Sequence, residues 1–293
     1  MVVIQSHIIG YCNGVAHVIE MAQECLRIAN AKNLPAYAIG WFIHNPTVVK
    51  RFVAKGMQCI DTPKEGSPGV ALIRAHGIGD PLREAFEQQG FTLIDGTCGI
   101  VAHSQRLIRK TTESNHVVII GLPGHSEVIA LSNVYNEDKQ IIPVHVVASE
   151  VDIDALPDFS NEEVLLMVQT TFPQTQYNNL RDYMLFRYKN RLHIGNQLCP
   201  NTLRRHVAVL DMCKKVDAVI VIGGKMSANT TALVHLVESQ NLPVWHIESV
   251  EEIPSQIFSF RRVGVTAGTS TPPEDIDAVV DVLEKGESFS GTE

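Results

Sequence analysis

Several features that would place this 293-residue chain in a specialised class are missing from its sequence. No apolar run approaches the roughly 20 residues that a membrane-spanning helix needs. The N-terminal Met1-Val2-Val3-Ile4 has neither the basic nor the apolar region of a signal peptide. The formal net charge of −8 leaves no basic surplus to neutralise nucleic-acid phosphates. We therefore expect a cytoplasmic protein that binds neither a membrane nor a nucleic acid.

The six cysteines lack the close spacing of a zinc finger or of a disulfide framework. Three of them lie within apolar patterns and are predicted to be core thiols; these are Cys25, Cys59 and Cys213. The other three, Cys12, Cys98 and Cys199, each stand where a predicted helix begins after an apolar run. A thiol at the positive end of a helix dipole tends to ionise. These three are candidate nucleophiles or metal ligands, and buried core thiols are the alternative.

Cys12, Cys98 and Cys199 are separated by about a hundred residues each, which suits one shared site better than a zinc finger. They could hold a [4Fe–4S] cluster, whose usual complement is four cysteine ligands. With three ligands, one iron keeps an open position and can act as a Lewis acid.

Short β-branched runs alternate with helical patterns along the chain, which predicts an α/β fold with parallel sheets. Each third of the chain carries one cysteine-headed helix and three or four strands, so we expect three pseudo-threefold-related α/β domains. The predicted boundaries are 13–97, 98–196 and 197–283, with the N-terminal strand 1–12 joining the third domain. Residues 284–293 are predicted to be a mobile tail.

The first and middle thirds hold these predicted strands: Val2–Ile8, Ala36–Ile39, Gln58–Ile60, Ala71–Arg74, Phe91–Ile94, Val117–Ile120, Val144–Val147 and Leu165–Gln169. The last third holds Ala218–Ile222, Val244–Ile247 and Val263–Thr266. Besides the three cysteine-headed helices, the predicted helices are Pro46–Lys55, Pro81–Gln89, Glu127–Asn136, Tyr177–Lys189, Thr230–Ser239 and Ile276–Glu284.

Polar, glycine-containing loops follow several predicted strands. The side chains of interest in them are His76, His125, Glu127, Ser227, Asn229 and Ser270. Ligands of open α/β sheets bind at the carboxyl ends of strands, and glycine amides and helix N-termini favour anions there. None of these loops has the spacing of a P-loop. Together with His44, they predict a pocket for a phosphorylated small molecule.

Glu127 and His125 share one of these loops and are candidates for proton transfer. A carboxyl group in a dry pocket has a raised pKa and can donate a proton near neutral pH. The alternative is a solvated pair on an exposed loop. Thr170 closes a buried strand, where its hydroxyl either caps a turn or faces the ligand.

Nine short motifs, in this order, resemble those of the 4-hydroxy-3-methylbut-2-enyl diphosphate reductase (LytB/IspH) family. The resemblance is collinear over roughly residues 10–275. The motifs are Tyr-Cys12-Asn-Gly-Val, His44-Asn, Ala-His76-Gly, Asp-Gly-Thr-Cys98, Gly-His125-Ser-Glu127, Gln-Thr170-Thr, Cys199, Lys-Met-Ser227-Ala-Asn229 and Val-Thr-Ala-Gly-Thr-Ser270.

This resemblance implies a trefoil of three α/β domains around a [4Fe–4S] cluster held by Cys12, Cys98 and Cys199. The implied reaction removes the hydroxyl of (E)-4-hydroxy-3-methylbut-2-enyl diphosphate to give isopentenyl and dimethylallyl diphosphate, the last step of the methylerythritol phosphate route. Ferredoxin or flavodoxin would supply the electrons. The resemblance implies catalytic roles for Glu127, His125 and Thr170. It implies substrate binding by His44, His76, His125, Thr170, Ser227, Asn229 and Ser270.

The sequence departs from the family pattern at three motif positions. Ala228 replaces one of two adjacent serines, Gly99 stands where proline is usual, and Ser126 replaces the proline of His-Pro-Glu. A paralogue acting on another hydroxylated anionic substrate is therefore an alternative. A quinolinate-synthase-like dehydratase with three cysteines and a [4Fe–4S] cluster is another. A non-catalytic sensor of iron–sulfur or zinc type is a third.

Overall fold

The computed structural model describes residues 1–111, 115–159 and 162–286, with the side chain of Ala228 left out. Its strands are β1 (Val2–Gln5), β2 (Ala36–Ile39), β3 (Met57–Ile60), β4 (Val70–Ile73), β5 (Thr92–Asp95), β6 (Asn115–Ile120), β7 (Val144–Val147), β8 (Glu163–Val168), β9 (Leu192–Ile194), β10 (Ala218–Ile222), β11 (Val244–Ile247) and β12 (Arg262–Ala267).

The helices alternate with these strands, as the sequence pattern predicts. They are α1 (Asn13–Lys32), α2 (Pro46–Val53), α3 (Asp80–Gln88), α4 (Gly99–Arg109), α5 (Ser126–Leu131), α6 (Glu150–Asp154), α7 (Gln174–Tyr188), α8 (Pro200–Cys213), α9 (Ala228–Glu238) and α10 (Pro273–Lys285). Of the predicted mobile tail 284–293, residues 287–293 lie outside the described residues.

The strands form three parallel sheets of four strands each, which confirms the predicted fold class. The strand orders are β3-β2-β4-β5, β7-β6-β8-β9 and β11-β10-β12-β1. We number the four strands of each repeat so that β2, β6 and β10 are first strands and β5, β9 and β1 are fourth strands. In these numbers, all three sheets have the strand order second, first, third, fourth. The repeat inferred from the sequence is therefore a repeat of topology, and we call each sheet with its helices a module.

The module built on β10 takes its fourth strand from the other end of the chain. β1 pairs in parallel with β12, with Val2 opposite Arg262 and Gln5 opposite Val265. In the other two modules the fourth strand, β5 or β9, follows the third strand along the chain. The first residues of the protein therefore complete a sheet whose other strands begin after residue 217.

The first strand or the third strand of two modules is buried along its whole length, and the middle strands of the remaining sheet are largely buried. Val70–Ile73 and Ala218–Ile222 have no exposed residue, since helices on both faces of a parallel sheet demand apolar side chains in both directions. On the β10 sheet, one face packs Ile220, Val265 and Val279, and the other packs Val219, Val221 and Val209. Such cores fix the strand ends, from which the functional loops emerge.

The chain divides into two compact units. The first comprises residues 1–16, 43–52 and 200–293 and contains the β10 sheet. The second comprises residues 17–42 and 53–199 and contains the other two sheets. The predicted domain boundaries stay a prediction. No helix among the described residues has both the length and the apolar character needed to cross a bilayer.

Four sequence predictions differ from the structure in local detail. Strand β9 and helix α6 were not predicted, because Leu192–Ile194 and Glu150–Asp154 are too short to show periodicity. Helix α5 ends at Leu131 instead of Asn136. The prediction that Cys59 is a core thiol is wrong: it is exposed, whereas Cys25 and Cys213 are buried. Cys59 lies on β3, the edge strand of its sheet, where one side has no strand neighbour.

Candidate active site

Each of the three candidate cysteines directly precedes a helix, as the sequence predicts. The backbone amide of each cysteine donates to a carbonyl two residues beyond the end of the third strand of its module. The three bonds run from Cys98 to Ala75 (2.9 Å), from Cys199 to Thr170 (2.9 Å) and from Cys12 to Thr269 (3.4 Å). The three thiols therefore occupy equivalent places in the three modules.

These three cysteines are not disulfide-bonded, and all three are partly buried. Cys12 belongs to the first compact unit, and Cys98 and Cys199 belong to the second. Within the described ranges, no three His, Cys, Asp or Glu side chains form a group that could hold a metal ion. The shared cluster site remains a prediction that rests on the equivalence of the three positions.

A second set of equivalent positions lies in the loop after the first strand of each module. Each loop begins with a glycine whose amide donates to the last carbonyl of the second strand. These bonds join Gly40 to Ile60 (2.8 Å), Gly121 to Val147 (3.0 Å) and Gly223 to Ile247 (2.9 Å). Five residues after the strand, the three loops present His44, His125 and Ser227. Three of the predicted ligand-binding side chains thus arise from one repeated turn.

Glu127 is fully buried, which rules out the alternative of a solvated loop pair. Its two carboxylate oxygens accept hydrogen bonds from Thr170: Oε1 from the backbone amide at 2.9 Å and Oε2 from the hydroxyl at 2.8 Å. Burial raises the pKa of Glu127 to about 7, against the opposing effect of these two bonds. The carboxyl group is therefore poised to carry a proton near neutral pH.

His125 caps the first turn of α5, where its Nδ1 accepts the amide of Glu127 at 3.2 Å. A neutral ring with Nδ1 as acceptor carries its proton on Nε2. The ring meets that of His76 edge to face, with centroids 5.5 Å apart. His76, His125, Glu127 and Thr170 therefore form one polar group within the second compact unit.

In the first compact unit, Ser227 caps α9 by accepting the amide of Thr230 at 3.3 Å. Asn229 follows on the same helix and is 9% exposed. Neither Oδ1 nor Nδ2 of Asn229 has a hydrogen-bond partner among the described residues. Buried amide groups are normally hydrogen-bonded, so Asn229 is a candidate ligand-binding residue.

Sequence reasoning missed Asn45, which organises the same unit. Its Nδ2 donates to the carbonyl of Ser270 at 2.8 Å, and its Oδ1 accepts the amide of Val48 at 3.2 Å. The Ser270 hydroxyl donates in turn to the carbonyl of His44 at 3.3 Å. The sequence offered one signal, because Asn directly before a proline-started helix is a typical capping residue.

Three parallel modules, each with a cysteine before a helix and polar side chains at its strand ends, define an α/β protein whose candidate ligand-binding residues lie on repeated loops. A family model described as LytB protein matches residues 3–284. The chain belongs to the LytB family, which confirms the resemblance found in the sequence.

Among similar proteins, a 4-hydroxy-3-methylbut-2-enyl diphosphate reductase of Treponema denticola is 34% identical over 97% of this chain and 98% of its own length. One of the same name from Solidesulfovibrio magneticus is 32% identical over 97% and 99%.

Two solved structures also match the whole fold. The E-1-hydroxy-2-methyl-but-2-enyl-4-diphosphate reductase of Plasmodium falciparum has a TM-score of 0.83 and 26% identity, over 96% of this chain and 87% of that one. An (E)-4-hydroxy-3-methyl-but-2-enyl diphosphate reductase, described as the terminal enzyme of the non-mevalonate pathway, has a TM-score of 0.75. It is 30% identical over 97% and 100%.

Proposed function

We propose that this protein reductively removes the hydroxyl group of (E)-4-hydroxy-3-methylbut-2-enyl diphosphate, giving isopentenyl and dimethylallyl diphosphate. The observation that carries the proposal is the buried Glu127 carboxyl, which accepts hydrogen bonds from the neutral donors of Thr170 and can hold a proton near pH 7. Membership of the LytB family and the names of the similar reductases support this substrate.

The three cysteines fit the iron–sulfur cluster that the LytB family is known to use. They are not disulfide-bonded, are partly buried and are held at equivalent places by their own backbone amides. We propose that Cys12, Cys98 and Cys199 hold a [4Fe–4S] cluster with one open iron. When bound, the cluster supplies a Lewis acid for the hydroxyl oxygen and a relay for single electrons.

Glu127 and Thr170 are the proposed proton path. A threonine hydroxyl both donates and accepts, so Thr170 can accept a proton from Glu127 while it passes its own proton to the leaving hydroxyl. The carboxyl is 0% exposed, which keeps bulk water from competing for this proton. The Nε2–H of the neutral His125 ring is a further donor beside this path.

The diphosphate is the proposed ligand of the other polar loops. His44, Ser227 and Ser270 lie on neighbouring loops of the first compact unit, and Asn229 brings a buried amide without a partner. In the second unit, His76 stands beside His125. Hydroxyl, amide and imidazole N–H groups are the donors that phosphate oxygens accept.

The reaction balances with external electrons. The allylic C–O bond breaks, the hydroxyl leaves as water with one proton, a second proton adds to carbon, and two electrons enter. We propose that ferredoxin or flavodoxin supplies these electrons one at a time, and that the enzyme works in the cytoplasm. Six cysteines without a disulfide suit a reducing compartment.

The test is anaerobic turnover of the reconstituted protein with a low-potential dye as electron source. We expect consumption of (E)-4-hydroxy-3-methylbut-2-enyl diphosphate only when the protein is reduced. The matched compound without the hydroxyl is dimethylallyl diphosphate, one of the proposed products, and it should not be consumed. A reconstituted cluster with no consumption would overturn the substrate assignment and favour a paralogue. Turnover without reductant would favour a dehydratase.

A further inference from the structure

Arg205 is a buried arginine that neither the sequence motifs nor the proposed reaction uses. It lies on α8, is 1% exposed and heads the fully buried side chains by volume. Its partners in the described structure are backbone carbonyls, with no carboxylate among them. A guanidinium is costly to bury without a counter-charge, so its retention here calls for a specific role.

The carbonyl partners of Arg205 lie on the chain segment that leads to Cys12 and on the segment that accepts the Cys12 amide. Its Nη2 donates to the carbonyl of Gly10 at 2.7 Å, and its Nη1 donates to the carbonyls of Ala267 at 2.8 Å and Ile8 at 3.4 Å. Gly10 has a positive φ of 76° and lies two residues before Cys12. The planar guanidinium of Arg205 therefore holds the turn that leads to Cys12, the proposed cluster ligand.

The second partner, Ala267, belongs to the chain segment that hydrogen-bonds to Cys12. Ala267 ends β12, and two residues later the carbonyl of Thr269 accepts the Cys12 amide at 3.4 Å. That bond is longer than the 2.9 Å of the two equivalent cysteines. Arg205 therefore adds further hydrogen bonds between the two chain segments that this longer bond joins.

Charge leads to the same residue. Burial lowers the pKa of the Arg205 guanidinium, and a negative charge at Cys12 would oppose that effect. A thiolate that binds iron is negatively charged. The neighbouring Arg204 is exposed and shares none of these bonds. The carbonyl partners of Arg205 carry no negative charge, and an iron-bound Cys12 thiolate would supply one.

We propose that Arg205 is a positioning residue for Cys12: its guanidinium fork clamps the turn of residues 8–12 to the end of β12 and sets a fixed positive charge beside the iron-bound thiolate. This rests on the proposed function in one respect, that Cys12 is a cluster ligand. The clamp itself is a property of the protein chain.

The experiment compares Arg205→Met, Arg205→Lys and the matched surface variant Arg204→Met in the full-length protein, before and after reconstitution. The first readout is hydrogen exchange of the amides of residues 7–12, measured by mass spectrometry. We expect both Arg205 variants to exchange about tenfold faster there or more, because the fork is lost in both. We expect Arg204→Met and the β2–β8 segments to match the parent protein.

The second readout is the reduction potential of the reconstituted cluster. Arg205→Met should lower it, since a positive charge favours the reduced form, whereas Arg205→Lys keeps the charge and should stay near the parent value. Unchanged exchange at residues 7–12, or faster exchange spread equally over β10–β12, would overturn the clamp. A potential unchanged in Arg205→Met would overturn the electrostatic role.

These readouts separate the two proposals. If the parent protein binds no iron and sulfide, the proposed function fails while the exchange experiment still decides the clamp. If the parent protein binds a cluster and the exchange is unchanged, the clamp fails alone.

Discussion

At the scale of single residues, Glu127 shows how burial and neutral partners tune an acid. No lysine or arginine stabilises its charged form in the described structure, and the two Thr170 donors only partly offset burial. A carboxyl that met a guanidinium would instead have a pKa below its usual range. The raised pKa of Glu127 therefore depends both on burial and on the lack of a cation beside it in the described structure.

Glu127→Gln is expected to lower turnover about 10²- to 10⁴-fold, the usual contribution of a positioned acid. The amide can keep both bonds, with its oxygen accepting the Thr170 amide and its NH₂ donating to the hydroxyl. Cluster content, and the melting temperature of the apo-protein at about pH 5, should therefore stay near those of the parent. Turnover retained within threefold or so would contradict Glu127 as the proton donor.

The pH profile gives a second prediction at this scale. Because the protonated acid is the active form and its pKa is about 7, turnover should fall as pH rises above 7. Thr170→Val removes the proposed hydroxyl relay, so turnover should fall at every pH. It also removes the bond that stabilises the carboxylate, so the pKa should rise and the falling limb of the residual turnover should move to higher pH. Thr170→Ser keeps the hydroxyl and is the matched control. A limb that moves equally in both variants would argue against this bond.

Burial of Glu127 also predicts a pH dependence of stability. Its folded pKa of about 7 lies above the ordinary value of 4.5, so protonation favours the folded state. This contribution is complete below about pH 4.5 and is lost as pH rises through 7. Relative to the parent, apo Glu127→Gln should therefore gain free energy of unfolding between pH 5 and pH 8. Urea titrations measure it, with the exposed Glu238→Gln as control; a gain in both would refute the assignment.

At the scale of elements, Asn45 joins the start of α2 to the loop after β12. One side chain both caps the helix through Val48 and holds Ser270 by its carbonyl. Because His44 and Ser270 are proposed diphosphate ligands, Asn45 sets the spacing between two of them. The element that carries His44 is thereby ordered before the substrate arrives.

Two Asn45 variants separate its two bonds. Asn45→Asp keeps the acceptor for Val48 but loses the donor to Ser270, whereas Asn45→Ala loses both. We expect both to raise the KM for the diphosphate substrate. Only Asn45→Ala should also lose the cap, which is worth about 0.5–2 kcal/mol, seen as the lower melting temperature of the two. An unchanged KM in Asn45→Asp would show that the Ser270 bond does not position the ligand.

The elements also show what the sequence could predict. Long periodic segments such as α1, and fully apolar ones such as β10, are defined by their own residues. Helix α6 depends instead on a capping box, in which Ser149 and Asp152 satisfy each other's amides, and this motif outweighs weak periodicity. Strand β9 has three residues and forms because β8 offers it a template, a tertiary effect that no local pattern contains.

At the scale of the whole molecule, the β10 sheet depends on residues from both ends of the chain. Ile4 of β1 packs on the face that holds Val219 and Val221, while Val2 of the same strand is 53% exposed. The first five residues therefore have a structural task in the unit that contains Cys12. The other unit has all its strands within one continuous stretch apart from residues 43–52.

Ile4→Asp is expected to destabilise the first unit by about 3 kcal/mol, because it places an unpaired charge against a core. Val2→Asp makes the same change at an exposed position of the strand and should cost less than about 0.5 kcal/mol. Hydrogen exchange should rise in β10–β12 for Ile4→Asp and stay at the parent level in β2–β8. Equal exchange in both variants would contradict the pairing of β1 with β12.

The candidate site was less accessible to sequence reasoning than the fold. Motif residues such as Glu127 could be named from the resemblance, but their burial could not. Arg205 had no signal at all, because an arginine on an amphipathic helix usually faces solvent. Its place is decided by carbonyls of Gly10 and Ala267, which lie far away along the chain. Burial of a polar group is a property of the assembled fold.

The repeated cysteine turn carries a further consequence for electron distribution. Because each cysteine has already committed its own amide to a strand end, the next residue is the first that can offer an N–H to sulfur. Asn13 and Gly99 possess one, but Pro200 does not. If the proposed cluster is held by these three cysteines, the Cys199 sulfur would have one neighbouring backbone N–H fewer than the other two, and added electron density would favour the other two corners.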